Sequence, residues 1–505
     1  MQTVEEPSVR GSRLASNALL NLAGLIAPLI VAFITLPIMI RGLGTERFGL
    51  LSVTWLLLTY LSELGFGVTT TRYAAAAIGA GRHAEIAGLV WTTAAFQAVV
   101  GLAMGILLAL ITPWLIDSVF RIPSAITAEA RACFYLLALS LPLLGWGRAF
   151  RGLVEAAQRF DLALFVHLPI TAGTYIAAAI AAAAGWSVAA VMALIVSSRV
   201  IALPAYYAAA RRALPSVSLR PALRLERLRE VGSFAGWVAV STAVSPLLLY
   251  LDRFMIGALL SLTAVTFYAA PYEIVARLTL IPGAVIGALF PALSQLSAHP
   301  DRSFAEQLAA RSAMFLFALL APVIVFMLGI ARDGLSLWLG AEYAAQSTRA
   351  LQILAIGVLV NALAHVPYAL LHGHGRPDLP ARFHLLELPI QVALAWLLIT
   401  QFGITGAALA WTLRMIIDAA LLFIAAERTQ LLRAPALRGH MSAIAIGTVC
   451  AASVSAVIAA AYLPSLLMRV LAATLLALAA AAVLWLVALP ISERRRVSAL
   501  FRPAV

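Results

Sequence analysis

Long apolar stretches follow one another along almost the whole of this chain, and that alone rules out a water-soluble fold. A helix needs about 20 mostly apolar residues to cross the hydrocarbon core of a bilayer. With polar, glycine, proline and arginine-rich breaks as boundaries, fourteen such segments fall at 14–40, 47–68, 86–113, 131–150, 162–184, 186–210, 232–257, 262–290, 312–331, 349–371, 383–401, 404–426, 441–462 and 465–490. Only 11% of the 505 residues are charged and 63% are hydrophobic, whereas a soluble domain is about a quarter charged. The chain is therefore expected to be an all-α polytopic membrane protein of about fourteen transmembrane helices. Its first apolar run, Leu14 to Ile40, is too long for a signal peptide and ends at Arg41 rather than at a small-residue cleavage site, so it reads as the first span. The breaks near 184–186 and 401–404 are so short that each predicts a tight hairpin.

The charges exclude several function classes. All 35 basic residues are arginine. Without lysine there is no phosphate-binding loop of the Walker type and no Schiff-base chemistry, which removes a fused ATPase. Cys133 and Cys450 both fall in apolar stretches and cannot supply a disulfide framework or a four-ligand zinc site; both are expected in the core. With the amino terminus placed inside, 24 arginines fall in inner segments, six in outer segments and five (Arg199, Arg253, Arg277, Arg414 and Arg469) inside spans. That bias predicts a cytoplasmic-membrane protein with both termini cytoplasmic. The formal net charge of +13 is thus mostly topological, and nothing calls for a nucleic-acid partner.

The chain also repeats itself. Arg159-Phe160-Asp161-Leu162, followed by Leu168-Pro169-Ile170, a span and the turn Gly185-Trp186, matches Arg376-Pro377-Asp378-Leu379, Leu388-Pro389-Ile390, a span and the turn Phe402-Gly403. Phe48-Gly49 matches Phe267-Tyr268 at a similar offset. Each copy holds an even number of spans, so the copies share one orientation, the parallel-repeat plan in which the substrate path lies between two lobes. The expected division is a six-helix lobe at 1–210, a basic cytoplasmic linker at 211–230, a second six-helix lobe at 231–430, and two extra helices with a basic tail at 431–505. The linker's Leu-Arg-Leu-Glu-Arg-Leu-Arg-Glu run fits either an amphipathic helix on an anionic leaflet or a solvated connection.

Ionisable groups inside a membrane are costly and face a bundle interior or a wet cavity. Five acids within spans (Glu63, Asp252, Glu273, Glu387 and Asp418) nearly balance the five arginines, which predicts pairing. Asp252 and Arg253 adjoin; Glu273/Arg277 and Arg414/Asp418 have helical i, i+4 spacing. These groups either stitch helices together or hold Arg253 and Arg277 ready for an anionic substrate, whose oxygens guanidinium matches in pairs. Polar stripes at helical spacing run through Arg13, Asn17, Asn21, Gly24 and Pro28, through Asn361, His365, Tyr368 and His372, and through Ser241, Ser245 and Asp252. Gly101/Gly105 and Gly283/Gly287 have the spacing of helix-packing pairs. His372, His374, Asp378 and His384 lie across a turn without a recognised metal-ligand spacing.

Several of these residues carry a family resemblance. Pro37 to Tyr73, with Gly42-Leu43-Gly44, Glu46, Phe48-Gly49, Glu63-Leu64-Gly65-Phe66-Gly67 and Arg72, resembles the opening of the polysaccharide-exporter branch of the multidrug/oligosaccharidyl-lipid/polysaccharide flippase superfamily. Asp252-Arg253-Phe254-Met255-Ile256-Gly257, Leu260-Ser261 and Tyr268 are similar to a signature of the same branch, and the resemblance covers about residues 12–430. It implies two six-helix lobes around a central cavity, alternating access, and a lipid-linked anionic oligosaccharide, carried on undecaprenyl pyrophosphate, as cargo within the membrane lipid. It further implies a polysaccharide polymerase and chain-length machinery as partners. The substrate-binding candidates are then Arg13, Asn17, Asn21, Arg72, Asp252, Arg253, Glu273, Arg277, Asn361 and His365. Two extra carboxy-terminal spans are similar to those of the fourteen-helix peptidoglycan-precursor flippases, while the arginine-rich middle and the exporter signatures favour surface polysaccharide.

Three alternatives were weighed. A cation-coupled drug antiporter of the same fold typically carries a carboxylate in its first span, and 14–40 has none, although Asp252 or Glu273 could titrate. A membrane glycan polymerase or ligase needs a large outer loop with catalytic arginine or histidine; the longest here, near 114–130 and 332–348, are short and lack histidine. A non-transporting scaffold would not need paired polar faces. No catalytic, cofactor or metal motif is expected, and the sequence does not choose between H+ and Na+ as a coupling ion.

Overall fold

A computed structural model describes residues 8–62, 66–215, 217–224, 251–286, 303–374, 376, 378–433 and 443–488, with backbone alone for 8–26, 62, 66–69, 72, 303, 373, 487 and 488. All regular structure among them is helical: α1 (Ser8–Ser62), α2 (Phe66–Gly79), α3 (His83–Trp114), α4 (Thr127–Ala156), α5 (Phe160–Ala183), α6 (Val188–Ala213), α7 (residues 251–259), α8 (Leu262–Ala276), α9 (Ser303–Leu339), α10 (Ala341–Gly373), α11 (Asp378–Arg428), α12 (Ala443–Tyr462) and α13 (Leu466–Val483). Eleven helices are long and apolar enough to cross a membrane. Two of these exceed one crossing. At about 1.5 Å per residue a 55-residue α1 and a 51-residue α11 would run well past 70 Å, and each breaks at a glycine in a backbone conformation that L side chains rarely adopt, Gly44 (φ 77°) and Gly403 (φ 59°). Gly403 and Gly185 (φ 76°) are the two tight turns expected from the sequence. Most of the expected span 232–257 lies outside the described residues.

The outer surface is apolar, as a lipid-facing surface must be: Leu110, Phe165 and Leu337 are each more than seven-tenths exposed. Cys450 is exposed on α12, so only Cys133 is a core residue. In a bilayer an apolar stretch need not be buried in protein, which is why composition alone misplaced Cys450.

The chain divides into two compact units, Met1–Tyr250 with Ser261–Thr266, and Leu251–Leu260 with Phe267–Val505. In the first unit the core is rich in alanine, from Ala74 and Ala77 through Ala149, Phe150 and Leu153 to Tyr206, Ala209 and Ala210. Small residues let helix backbones approach. A Cβ on Gly101 would stand 2.6 Å from the Leu141 carbonyl oxygen, and one on Gly105 would stand 2.5 Å from that of Ala138, so this glycine pair seats α3 on α4. Gly283 faces open space instead, and Gly287 lies outside the described residues. Residues 214, 215 and 217–224 of the linker are not helical. Val217 and Leu219 are buried, the Leu219 carbonyl accepts from Trp91 Nε1 (3.1 Å) and Tyr207 OH (3.4 Å), and Arg224 N donates to Thr92 Oγ1 (2.9 Å). This stretch is a strap on α3 and α6; 225–230, six of the eight residues of the Leu-Arg-Leu-Glu-Arg-Leu-Arg-Glu run, lie outside the described residues.

In the second unit Met314, Phe317, Ala321 and Val325 of α9 pack against Ala445, Val449, Ala452 and Ala456 of α12 and Ala480 of α13. Arg469 Nη1 bonds Asp333 Oδ1 at 2.7 Å. The two extra helices are thereby tied to α9. The sequence repeat reappears as one local structure: Arg159 forks Asp161 at the start of α5 (2.9 and 2.8 Å), and Arg376 forks Asp378 at the start of α11 (3.0 and 3.4 Å). Each acid sits in a first helical turn, where the helix dipole favours negative charge. Each carboxylate also holds its loop arginine above the usual guanidinium range.

Candidate functional site

The densest set of charged groups described lies in the second unit, where α7, α8 and α11 meet. Asp252 and Arg253 are adjacent on α7 and both buried. They do not pair through their side chains, as adjacency had predicted. Asp252 Oδ1 accepts from the Arg253 backbone N–H at 2.8 Å, and Oδ2 accepts from the Tyr268 hydroxyl. The Arg253 guanidinium turns the other way, donating to Glu273 Oε1 at 3.0 Å and lying 4.7 Å above the Tyr272 ring. Tyr272 in turn meets Trp411 edge-on at 5.9 Å. A guanidinium held between a carboxylate and an aromatic face is fixed in rotamer and charge.

Glu273 links this buried pair to the exterior. Its second oxygen accepts from Arg277 Nη2 at 2.7 Å, the i, i+4 pair expected on α8. Exposure rises along the chain of contacts, from 6% for the Arg253 side chain to 37% for Glu273 and 41% for Arg277. Arg277 is thus the member of the set able to reach a ligand, and Arg253 is committed to holding Glu273.

A second cluster spans the Gly403 break of α11. Residues 384, 387 and 391 share one face at helical spacing, and Glu387 and Gln391 are fully buried. Arg414 does not pair with Asp418 one turn along its own helix; its Nη1 reaches Glu387 Oε2 across the hairpin at 3.3 Å. Glu387 Oε1, Asp418 Oδ1, Arg414 Nε and both polar atoms of Gln391 are buried without a hydrogen-bond partner. The donor atoms of His384, Glu387 and Asp418 lie within 4.8 Å of one another, a spacing able to hold one cation or a shared proton. His372 and His374 have no part in that trio. Their Nδ1 atoms bond the Tyr368 and Leu370 carbonyls of their own helix, at 2.9 Å each. Leu388, Pro389, Val392, Ala393 and Trp396 of α11 line an apolar groove.

The remaining candidates are dispersed. Arg13, Asn17 and Asn21 fall on α1 and Arg72 on α2, and their side chains lie outside the described residues, as do Glu63, Ser241 and Ser245. Asn361 and His365 are half-buried on α10, where His365 Nδ1 bonds the Asn361 carbonyl at 2.8 Å. Of the ten candidates the structure therefore brings together Asp252, Arg253, Glu273 and Arg277. Tyr268 stands in the family signature but not among the site candidates, and Tyr272 and Trp411 are in neither. Tyr272 offers only its i, i+4 spacing from Tyr268 as a signal, and aromatic spacing of that kind more often marks core.

Comparison with known proteins places this geometry. Residues 14–297 match the model of a family described as "Polysaccharide biosynthesis protein". A Shigella flexneri protein named as an O-antigen transporter is 28% identical over 415 residues, covering 80% of this chain and 96% of the relative. The succinoglycan biosynthesis transport protein ExoT of Rhizobium meliloti is 27% identical over 348 residues, covering 66% and 65%. Among solved structures, the lipid II flippase MurJ in an inward closed conformation has a TM-score of 0.67 at 11% identity, over 97% of this chain and 100% of that one. An inward-facing multidrug resistance transporter of the MATE family has a TM-score of 0.65 at 15% identity, over 82% and 98%. At those identities the two structures speak for the fold alone.

Proposed function

We propose, from the premise that this chain belongs to the polysaccharide biosynthesis protein family, that it is a flippase moving an undecaprenyl-pyrophosphate-linked oligosaccharide unit across the cytoplasmic membrane for surface polysaccharide. Its relatives are named as transporters and flippases of glycan pathways, not as enzymes. The observation that carries the reading is a charged set inside a membrane helix bundle, Asp252–Arg253–Glu273–Arg277, that ends in a half-exposed guanidinium rather than a catalytic constellation. A pyrophosphate crossing a bilayer needs fixed positive charge and water, whereas its lipid tail does not. Alternating access, cytoplasmic termini, lobes at 1–210 and 231–430, and a polymerase as the downstream partner belong to the same reading.

Deletion of the gene tests it. The expected result is loss of surface polysaccharide with lipid-linked units held on the inner leaflet, restored by the wild-type chain. Single units accumulating on the outer face would instead make the protein a polymerase. The MATE-like fold keeps a drug antiporter as the second reading; unchanged drug tolerance on overexpression counts against it.

A further inference from the structure

In the first unit an arginine cluster stands outside every assignment made above. Arg148, Arg151 and Glu155 lie at i, i+3 and i+7 on α4; His167, Thr171 and Tyr175 lie at i, i+4 and i+8 on α5; Arg199 and Tyr206 lie two turns apart on α6. Helix α6 packs on both α4 and α5. These faces converge: Arg151 and Tyr206 are electrostatic neighbours, as are Arg151, Arg199 and His167, and Tyr206 and Arg148. Tyr175 is a neighbour of Arg199 and stacks on Trp55 of α1 with ring centroids 4.8 Å apart.

Among the described residues Arg151 and Arg199 are short of acid. Glu155 bonds Arg151 Nε at 2.8 Å and is the only carboxylate among these neighbours in the described residues. Arg199, near the middle of the 26-residue α6, has a buried Nε with no hydrogen-bond partner. The Thr171 hydroxyl is buried without a partner too. A guanidinium at mid-membrane is expensive, and Arg253, Arg414 and Arg469 of the other unit each reach a carboxylate. Arg199 reaches no acid among the described residues, and guanidinium with hydroxyl donors matches phosphate oxygens.

We propose that Arg151 and Arg199, with Arg148, Thr171 and Tyr206 beside them, form a binding site for the phosphate group of a lipid. On the flippase reading, on which this assignment of source rests, that group is the pyrophosphate of the cargo; the other source of the same chemistry is an anionic phospholipid headgroup.

The test uses the full chain in phosphatidylcholine nanodiscs, titrated with farnesyl pyrophosphate or with phosphatidylglycerol, and native mass spectrometry as the readout. Arg151→Gln and Arg199→Gln are each expected to weaken farnesyl pyrophosphate binding about tenfold or more, the loss of a charge-assisted hydrogen bond, while Arg82→Gln in a loop leaves it unchanged. Preference for farnesyl pyrophosphate assigns the cargo, and equal binding of phosphatidylglycerol assigns the phospholipid. Arg199→Lys, which keeps the charge, carries the test if the Gln variant does not fold; it should retain binding with a smaller loss and a wild-type melting temperature. Equal binding of both probes by wild type and folded variants overturns the site. That outcome is separate from failure of the flippase reading, which shows as intact surface polysaccharide in the deletion strain.

Discussion

The two units treat charge inside the membrane in opposite ways. In the second, Asp252, Glu273, Glu387 and Asp418 outnumber Arg253, Arg277 and Arg414, and every arginine of the set has an acid within 3.3 Å. In the first, among the described residues, Arg151 bonds Glu155 and Arg199 reaches no acid. A balanced set is self-sufficient: it fixes rotamers and can take up a small cation or a proton at its acidic end. A set short of acid is incomplete until an anion arrives. The units contain the same repeated helix motif, so the contrast comes from side chains placed on it and not from the backbone plan.

Substitution can break this contrast. The largest effect is expected from Arg151→Gln with Arg199→Gln, which removes the surplus charge; surface polysaccharide should fall at least tenfold at unchanged protein level in membranes. Arg253→Ala should act through folding. It leaves Glu273 with its Arg277 bond alone and removes the guanidinium packed over Tyr272, and losing a hydrogen bond between charged groups costs roughly 1.5–3 kcal/mol; a lowered melting temperature and reduced yield are the measurements. Arg277→Ala leaves Glu273 with its Arg253 bond, so the protein should fold normally and lose export severalfold, which separates a ligand-facing arginine from a positioning one. A smaller change is expected from Gly105→Val, where overpacking of α3 on α4 costs about 1–3 kcal/mol and shows as a drop in thermal midpoint with residual export. Smallest is Arg159→Ala, an exposed fork on Asp161, which should leave the thermal midpoint nearly unchanged.

Much of this molecule was legible because a bilayer makes apolar continuity decisive. The spans, the Gly185 and Gly403 turns and the Glu273–Arg277 pair all follow from local spacing. What escaped depended on longer reach. Arg148 and Arg151 served as loop markers for the end of a span, yet α4 runs on to Ala156 and carries both into the packed unit beside Arg199. Arg414 passed over the acid one turn away for Glu387 across a hairpin, because a long side chain is not limited to its own helix. The bond from Trp91 to the Leu219 carbonyl joins residues far apart in sequence and is a tertiary fact that no local spacing announces.

Transport by the purified chain is the most direct test of the account. Proteoliposomes would carry a fluorescent polyprenyl-pyrophosphate oligosaccharide on both leaflets, with an external quencher reporting exchange, under imposed H+ or Na+ gradients of either direction. The account predicts protein-dependent loss of the protected inner pool, slowed at least tenfold in the Arg151→Gln, Arg199→Gln chain, with a labelled phosphatidylcholine left unmoved. No protein-dependent exchange under any gradient, or equal exchange of the phosphatidylcholine, would contradict it.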